Sequence, residues 1–278
     1  MSTVDMKNNS ESLVFPKIKN NFLVVSNYHN DVHWVPTYTN NYLIYNQSDT
    51  QTLPSEIDMK KIVASEHMGH NIRDYCTFII DHYENLPTVT IFATGNVFPR
   101  HMSEGYFASV VNNEYFTPLE EPGRHKRHVL PLIPVGGHSE YNDSWYLKRP
   151  VKKYFYDFDD FLHFCFINVK VPEYVQFAPG ANYIVPKKNI LRYPKVFYEN
   201  LRFFVSHTYG IVPGESYIIE RALYMIWRGD FEANKNMLQL IGDDFEGVKM
   251  TRKPFNVKKF FKGFLYKGIA FYYNFFSK

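Results

Sequence analysis

FLVVSNYHND, residues 22–31, decides the fold: an apolar, β-branched run from Phe22 to Val25 reaches Ser26-Asn27 and opens into the polar stretch Tyr28-His29-Asn30-Asp31. That order predicts a buried strand ending in a polar loop. It recurs at Tyr42-Leu43-Ile44-Tyr45, followed by Asn46-Gln47-Ser48-Asp49. It recurs again at VTIFAT, residues 89–94, followed by Gly95-Asn96 and Pro99-Arg100-His101. Between the second and third strands, Ile72, Tyr75, Cys76, Ile79, Ile80 and Tyr83 have helical spacing, which predicts a helix capped by Asn71 and running to about Glu84. Strand, strand, helix, strand, with polar residues gathered at the carboxyl ends of the strands, suits an open α/β sheet. The ligand crevice of such a sheet lies beyond those ends and suits a nucleotide.

Outward from this half the signals are weaker. Residues 102–150 hold Pro118, Pro122, Pro131, Pro134, the pair Gly136-Gly137 and several histidines, and read as loops and short elements. Tyr154 to Asn168 fits helix or strand, and Val175 to Val185 reads as a strand around Pro179-Gly180. Ile190 to Phe203 reads as a helix, as does Ser216 to Arg228, with Ile218, Ile219, Ala222, Leu223, Ile226 and Trp227 on its apolar side. There is no internal repeat.

The 278 residues are 45% hydrophobic and 18% aromatic, enough for a sizeable core, so disorder is excluded for the bulk. The two cysteines, Cys76 and Cys165, stand in apolar runs and suit buried thiols in a reducing compartment, with one long-range disulfide as the alternative. No run approaches the roughly 18 to 20 apolar residues of a spanning helix. Residues 1–20 lack the order of a secretory signal and read as a flexible tail, so a cytoplasmic location is expected. The net charge is +3, but residues 254–278 carry five lysines and no acid, which leaves −2 for the rest. A slightly acidic body argues against nucleic acid as a partner.

Several motifs carry possible chemistry. Glu215, after Val212-Pro213-Gly214, stands at a helix amino terminus, as a charge completing the cap or as a general base facing the crevice. Glu220 and Arg221, a turn further on, are a charged pair in an otherwise apolar helix, aimed at a polar cavity or closed as a structural ion pair. Asp157, Asp159 and Asp160 could hold a divalent cation from a loop, but acids ahead of FLHFCFI read first as a helix start. His67-x-x-His70 and His125-x-x-His128 lack the companions of a zinc site. A Gly-x-Ser-x-Gly elbow, a dinucleotide glycine fingerprint and a phosphate loop are all absent from the sequence.

The segment FAPGANYIVPKKNILRYPKVFYENL, from Phe177, with PGESYIIERALYMIW, from Pro213, resembles the distal part of GT-A-type glycosyltransferases. GHNIRDYCTFIIDHYENLPTVTIFATGN, with VVSNYHNDVHW and YLIYNQSD, resembles a domain family of unknown function with glycosyltransferase-like features. The resemblance covers about residues 21–228 and implies a GT-A-like, Rossmann-like open mixed sheet flanked by helices. It divides residues 21–250 into a nucleotide-binding half, 21–135, and an acceptor half, 136–250. It places Asn27, Tyr28, Asp31 and Asp49 near the base and ribose of a UDP- or GDP-linked sugar, with Asn71, Gly95, Asn96, Arg100 and His101 completing that side. Pro179, Gly180, Ala181 and Asn182 fall on the acceptor side. Where many such enzymes carry Asp-x-Asp for Mn²⁺ or Mg²⁺, this chain has Thr94-Gly95-Asn96, which puts the metal in doubt. Pro213-Gly214-Glu215 resembles the Pro-Asp-Glu segment of metal-independent relatives. That likeness makes Glu215 the expected base of an inverting transfer, with Glu220 next and Arg100, His101, Arg221 or Arg252-Lys253 for the departing diphosphate. The alternatives are a non-catalytic glycan-binding or structural protein and a metal-dependent phosphoesterase on Asp157, Asp159 and Asp160.

Finally, Phe260, Phe261, Phe264, Leu265, Phe271, Tyr272, Phe275 and Phe276 repeat at three-to-four spacing among Lys258, Lys259, Lys262 and Lys267. Residues 251–278 therefore read as an amphipathic helix on an anionic membrane surface, or as an aromatic helix docked on the body or a second copy. The combined expectation is a peripheral membrane enzyme with a glycan or lipid-linked acceptor.

Overall fold

The computed structural model describes residues 18–122, 138–142, 151–208 and 212–248, with Leu265 and Gly268. Its strands are β1 (Phe22–Asn27), β2 (Tyr42–Asn46), β3 (Ile62–Ala64), β4 (Val89–Thr94), β5 (Thr117–Pro118), β6 (His138–Tyr141), β7 (Tyr174–Phe177) and β8 (Tyr183–Pro186). Six of them form one mixed sheet in the order β3-β2-β1-β4-β8-β5. The first four are parallel, β8 is antiparallel to β4, and β5 is antiparallel to β8. β6 and β7 make a separate antiparallel pair.

The helices are α1 (Trp34–Tyr38), α2 (His70–Asp81), α3 (Val97–Arg100), α4 (Glu104–Val110), α5 (Phe158–Cys165), α6 (Lys187–Ile190), α7 (Lys195–Val205) and α8 (Gly214–Arg228). Alternation along the strands sorts their side chains onto two covered faces. Leu23, Val25, Ile44, Ile91, Ala93 and Ile184 share a core with Val35, Val97 and Phe107. Val24, Tyr45, Phe92, Tyr183 and Val185 face the other way, into a larger core supplied by α2, α5, α7 and α8. Burial on both faces is why these strands read as continuous apolar runs. On the larger side Trp227 stacks on Phe92 at 5.2 Å between ring centroids and meets Tyr183 edge-on at 5.0 Å. Truncating such a side chain costs about 3–5 kcal/mol. The fold is thus the α/β open mixed sheet with flanking helices, Rossmann-like, that the sequence predicts.

Several details differ from the sequence reading. α2 begins at His70, after Gly69 in left-handed backbone, and Asn71 makes no cap; it is already inside the first turn. The helix stops at Asp81, short of Glu84. Tyr154 to Asn168 resolves into a helix at 158–165, and 102–150 contains α4 besides short strands. The single strand expected over 175–185 is two strands of different sheets, parted by the turn at Gly180, whose φ is +77°. The helix expected over 190–203 is broken into α6 and α7, because Pro194 cannot continue a helix and instead starts one. Cys76 and Cys165 are buried free thiols. The tail up to residue 17, His125, His128, Arg252, Lys253 and the basic aromatic segment apart from Leu265 and Gly268 lie outside the described residues.

From β1 the chain turns to one side, through β2 and β3, and then returns to β4 on the other. The carboxyl ends of β1 and β4 therefore diverge into opposite connections, the switch point at which open α/β sheets bind ligands.

Candidate functional site

A crevice of about 730 Å³ opens at that switch point. Its floor comes from the strand ends: Ser26 from β1, Gln47 after β2, Thr94 at the end of β4 and Asn96 beyond it. One wall is the amino terminus of α2, with His70, Asn71 and Ile72; the facing wall is α8, with Ser216, Tyr217, Glu220 and Arg221. Arg100 and His101 stand at the end of α3, and Pro179-Gly180 closes the turn before β8.

Beneath the floor lies Asp74, on the core-facing side of α2 and fully buried. Its carboxylate accepts from the hydroxyls of Ser26 and Ser65 and, at 2.6 Å, from Nε2 of Gln47. Burial nevertheless dominates and pushes its pKa up to about 6, against the lowering effect of these donors and of Arg73. Asp74 thereby fixes two floor side chains from below. Beside it Asn27 is buried and donates to Asn46 at 3.1 Å and Gln51 at 2.9 Å, tying the ends of β1 and β2 together.

Gly180 is pinned between the walls. Its N–H donates to Oε1 of Glu220 at 2.7 Å, and its carbonyl accepts from Nδ2 of Asn71 at 2.6 Å. With its left-handed backbone, a Cβ there would stand 2.8 Å from both His101 Nε2 and Asn182 Nδ2, so only glycine fits. Asn182 holds the turn in register with β4, accepting from the N–H of Thr94 at 2.9 Å and donating to Pro179 O at 2.8 Å.

On α8 the Arg221 guanidinium donates to Glu140, to Oε2 of Glu220 at 3.2 Å and to Tyr217 O at 3.1 Å, and lies 4.5 Å over the Phe177 ring. Glu140 and Arg221 are buried, whereas the Glu220 side chain keeps 18% exposure to the crevice. Burial raises the Glu220 pKa, opposed by Arg221 and the Gly180 N–H, with Glu140 adding to the rise. Burial lowers that of His70, aided by His67, which favours its neutral ring.

The sites expected from the sequence separate accordingly. Glu220, Arg221, Tyr28, Asn71, Asn96, Arg100, His101, Pro179 and Gly180 meet at the crevice. Asn27, Gly95, Ala181 and Asn182 lie outside its lining and support it; a Cβ on Gly95 would stand 2.3 Å from Asn27 Oδ1. Asp31 and Asp49 are not brought to it: Asp31 is exposed, and hydrogen bonds from His33 lower its pKa. Glu215 is turned the other way. Its fully buried carboxylate accepts from the N–H groups of Lys153 at 2.8 Å and Tyr154 at 2.7 Å, and pairs with His207 Nε2 at 3.1 Å. It clips the start of α8 to the 151–154 segment. Asp157 caps α5 by accepting from Asp160 N at 2.9 Å, and Asp159 accepts from Asn142 Nδ2 at 2.9 Å, the helix-start arrangement, away from the crevice.

Sequence reasoning missed Ser26, Gln47, Asp74, Glu140 and Ser216. For Asp74 a signal existed, an acid between Ile72 and Tyr75 in a strongly apolar helix. Glu140 carried none, because it stands in a stretch without periodicity.

The donor set does not fit Mn²⁺ or Mg²⁺. Thr94, Gly95 and Asn96 bring no carboxylate to the end of β4, and among the described residues the acids in the crevice lining, Glu140 and Glu220, both engage Arg221. Among the described residues no three His, Cys, Asp or Glu side chains form a group able to hold a metal ion.

Residues 23–123 match the model of a family described as a protein of unknown function, DUF3431. That stretch runs from the second residue of β1 through β4 and includes α2, hence the floor and one wall, and ends before α8. No curated protein matches the chain, and no solved structure does. Among the described residues no helix is long and apolar enough to cross a membrane.

Proposed function

We propose that this chain is a glycosyltransferase that moves a sugar from a UDP- or GDP-linked donor to a glycan or lipid-linked acceptor, with Glu220 as the general base. The observation that carries the reading is a carboxylate fixed by Gly180 and Arg221 inside a crevice at the switch point of an open α/β sheet. A pKa raised by burial makes that carboxylate a stronger base than a free glutamate. Arg100 offers positive charge, and His101 a ring nitrogen, to the departing nucleoside diphosphate in place of a metal.

In the reaction the acceptor oxygen forms a bond to the anomeric carbon as the bond from that carbon to the phosphate oxygen breaks. The bonding electrons leave with the nucleoside diphosphate, the hydroxyl proton passes to Glu220, and the configuration inverts. Residues 251–278 would hold the enzyme on the anionic cytoplasmic face of a membrane, where a lipid-linked acceptor is concentrated.

The test is nucleoside diphosphate release from a panel of UDP- and GDP-sugars, in EDTA, by the wild type, Glu220→Gln and Glu215→Gln. The expected result is release by the wild type, a loss of roughly 10²- to 10⁴-fold in Glu220→Gln, and retained turnover in folded Glu215→Gln. Full turnover in Glu220→Gln would remove Glu220 from the chemistry.

A further inference from the structure

The turn before β8 holds two successive residues in left-handed backbone, Gly180 at φ +77° and Ala181 at φ +51°. Alanine lacks the freedom of glycine there, and such a conformation persists only where its surroundings hold it. They do so from three sides. The Ala181 N–H donates to Ala178 O at 2.9 Å and closes the turn. Asn182, buried, donates from Nδ2 to Pro179 O at 2.8 Å while its Oδ1 accepts from the Thr94 N–H at 2.9 Å. Asn71, in the first turn of α2, donates from Nδ2 to Gly180 O at 2.6 Å.

The carbonyls of Pro179 and Gly180 thus each accept from an asparagine amide, and the N–H between them donates to Glu220 Oε1 at 2.7 Å. Pro179 C=O and Gly180 N–H belong to one planar peptide unit, so holding the oxygen sets where the N–H points. A hydrogen bond from α2 therefore reaches the carboxylate on α8 through a single residue. A strained turn that aims one N–H at an acid in a ligand crevice points to a role in holding that acid.

We propose that Asn71 is a positioning residue for Glu220: through Gly180 it fixes one carboxylate oxygen, while the other meets Arg221. On the transferase reading, on which this rests, Asn71 keeps the base aligned with the acceptor hydroxyl. Although Asn71 lines the crevice, it then acts on the rate and not on donor binding.

Asn71→Ala tests it, since alanine is the better helix former and leaves α2 intact. The Glu220 carboxyl signal is followed against pH by carbon NMR in the full-length chain carrying isotope-labelled glutamate, and is assigned with Glu220→Gln. Glu220 is faced by Arg221 on α8, Glu140 on β6, Tyr75 on α2 and Tyr183 on β8, with His101 against Gly180; burial keeps both phenols protonated. A hydrogen bond to the ionised form holds a carboxyl pKa down, so loosening the Gly180 N–H should move the Glu220 midpoint upward in Asn71→Ala. In the same variant kcat should fall roughly 3- to 10-fold, with KM for the donor within about twofold. An unmoved midpoint overturns the proposal, as does weakened donor binding at unchanged kcat, which would make Asn71 a ligand contact. If the wild type transfers no sugar, the transferase reading fails on its own. The titration needs no substrate and still decides whether Asn71 holds Glu220.

Discussion

The N–H of Gly180 donates to Oε1 of Glu220 at 2.7 Å, fastening the turn before β8 to the middle of α8 across 40 residues of chain. The bond keeps one carboxylate oxygen fixed while the other meets Arg221 at 3.2 Å. Burial outweighs both and raises the pKa of Glu220. On the transferase reading, transfer should therefore increase with pH as Glu220 loses its proton, with a midpoint above that of a free glutamate. A pH profile of kcat/KM measures this, and a rising limb centred at the free glutamate value of about 4.3 would contradict it.

Glu215 should answer to stability instead. Its carboxylate satisfies the N–H groups of Lys153 and the buried Tyr154 and pairs with His207, so Glu215→Ala should cost about 3–5 kcal/mol and Glu215→Gln about 1–3 kcal/mol. Chemical denaturation checks both values. A loss below about 0.5 kcal/mol would mean that the clip between α8 and the 151–154 segment contributes little.

Asp74 should set part of the acid stability profile. Its pKa is about 6 in the folded protein, against about 3.9 in an unfolded chain. Between those values the folded state binds more protons, so its contribution is greatest below about pH 4 and is lost as pH rises through about 6. The change amounts to roughly 3 kcal/mol. Asp74→Asn should remove that slope. Denaturation midpoints at pH 4, 5, 6 and 7 give the comparison, and parallel curves for the two proteins would contradict the shift.

The elements that were legible were those whose neighbours matter least. β1, β2 and β4 are buried on both faces, so their apolar runs stand out, and α8 carries its stripe over four turns. Of the polar strand ends, Tyr28, Gln47 and Asn96 line the crevice, whereas Asp31 and Asp49 do not. Telling which of Glu215 and Glu220 faces the crevice was beyond the sequence, because both lie on α8 and the answer depends on what surrounds them: Lys153, Tyr154 and His207 for one, Gly180 and Arg221 for the other. Asn71 suited a helix cap by residue type, but Gly69, in left-handed backbone, is the cap two residues earlier, and Asn71 instead donates to Gly180 O. Asp74 was hidden for a related reason. Its partners Ser26, Gln47 and Ser65 come from three separate segments, and only the fold gathers them around one carboxylate.

The basic aromatic segment gives a prediction from sequence alone. Each lysine near an anionic bilayer contributes about 1 kcal/mol. Reversing Lys258, Lys259 and Lys262 to glutamate in the full chain should weaken co-sedimentation with phosphatidylserine vesicles at least about a hundredfold. Binding equal to the wild type would leave the segment to dock on the body or on a second copy.

Calorimetric binding of UDP, GDP, CMP, dTDP and ADP to the purified chain, in Mn²⁺ and in EDTA, tests the central claim most directly. The account predicts selective binding of UDP or GDP, of equal affinity in both conditions, since the end of β4 carries Asn96 and no carboxylate. Binding that requires Mn²⁺ would contradict the metal-independent site, and the absence of any nucleotide binding would contradict the transferase itself.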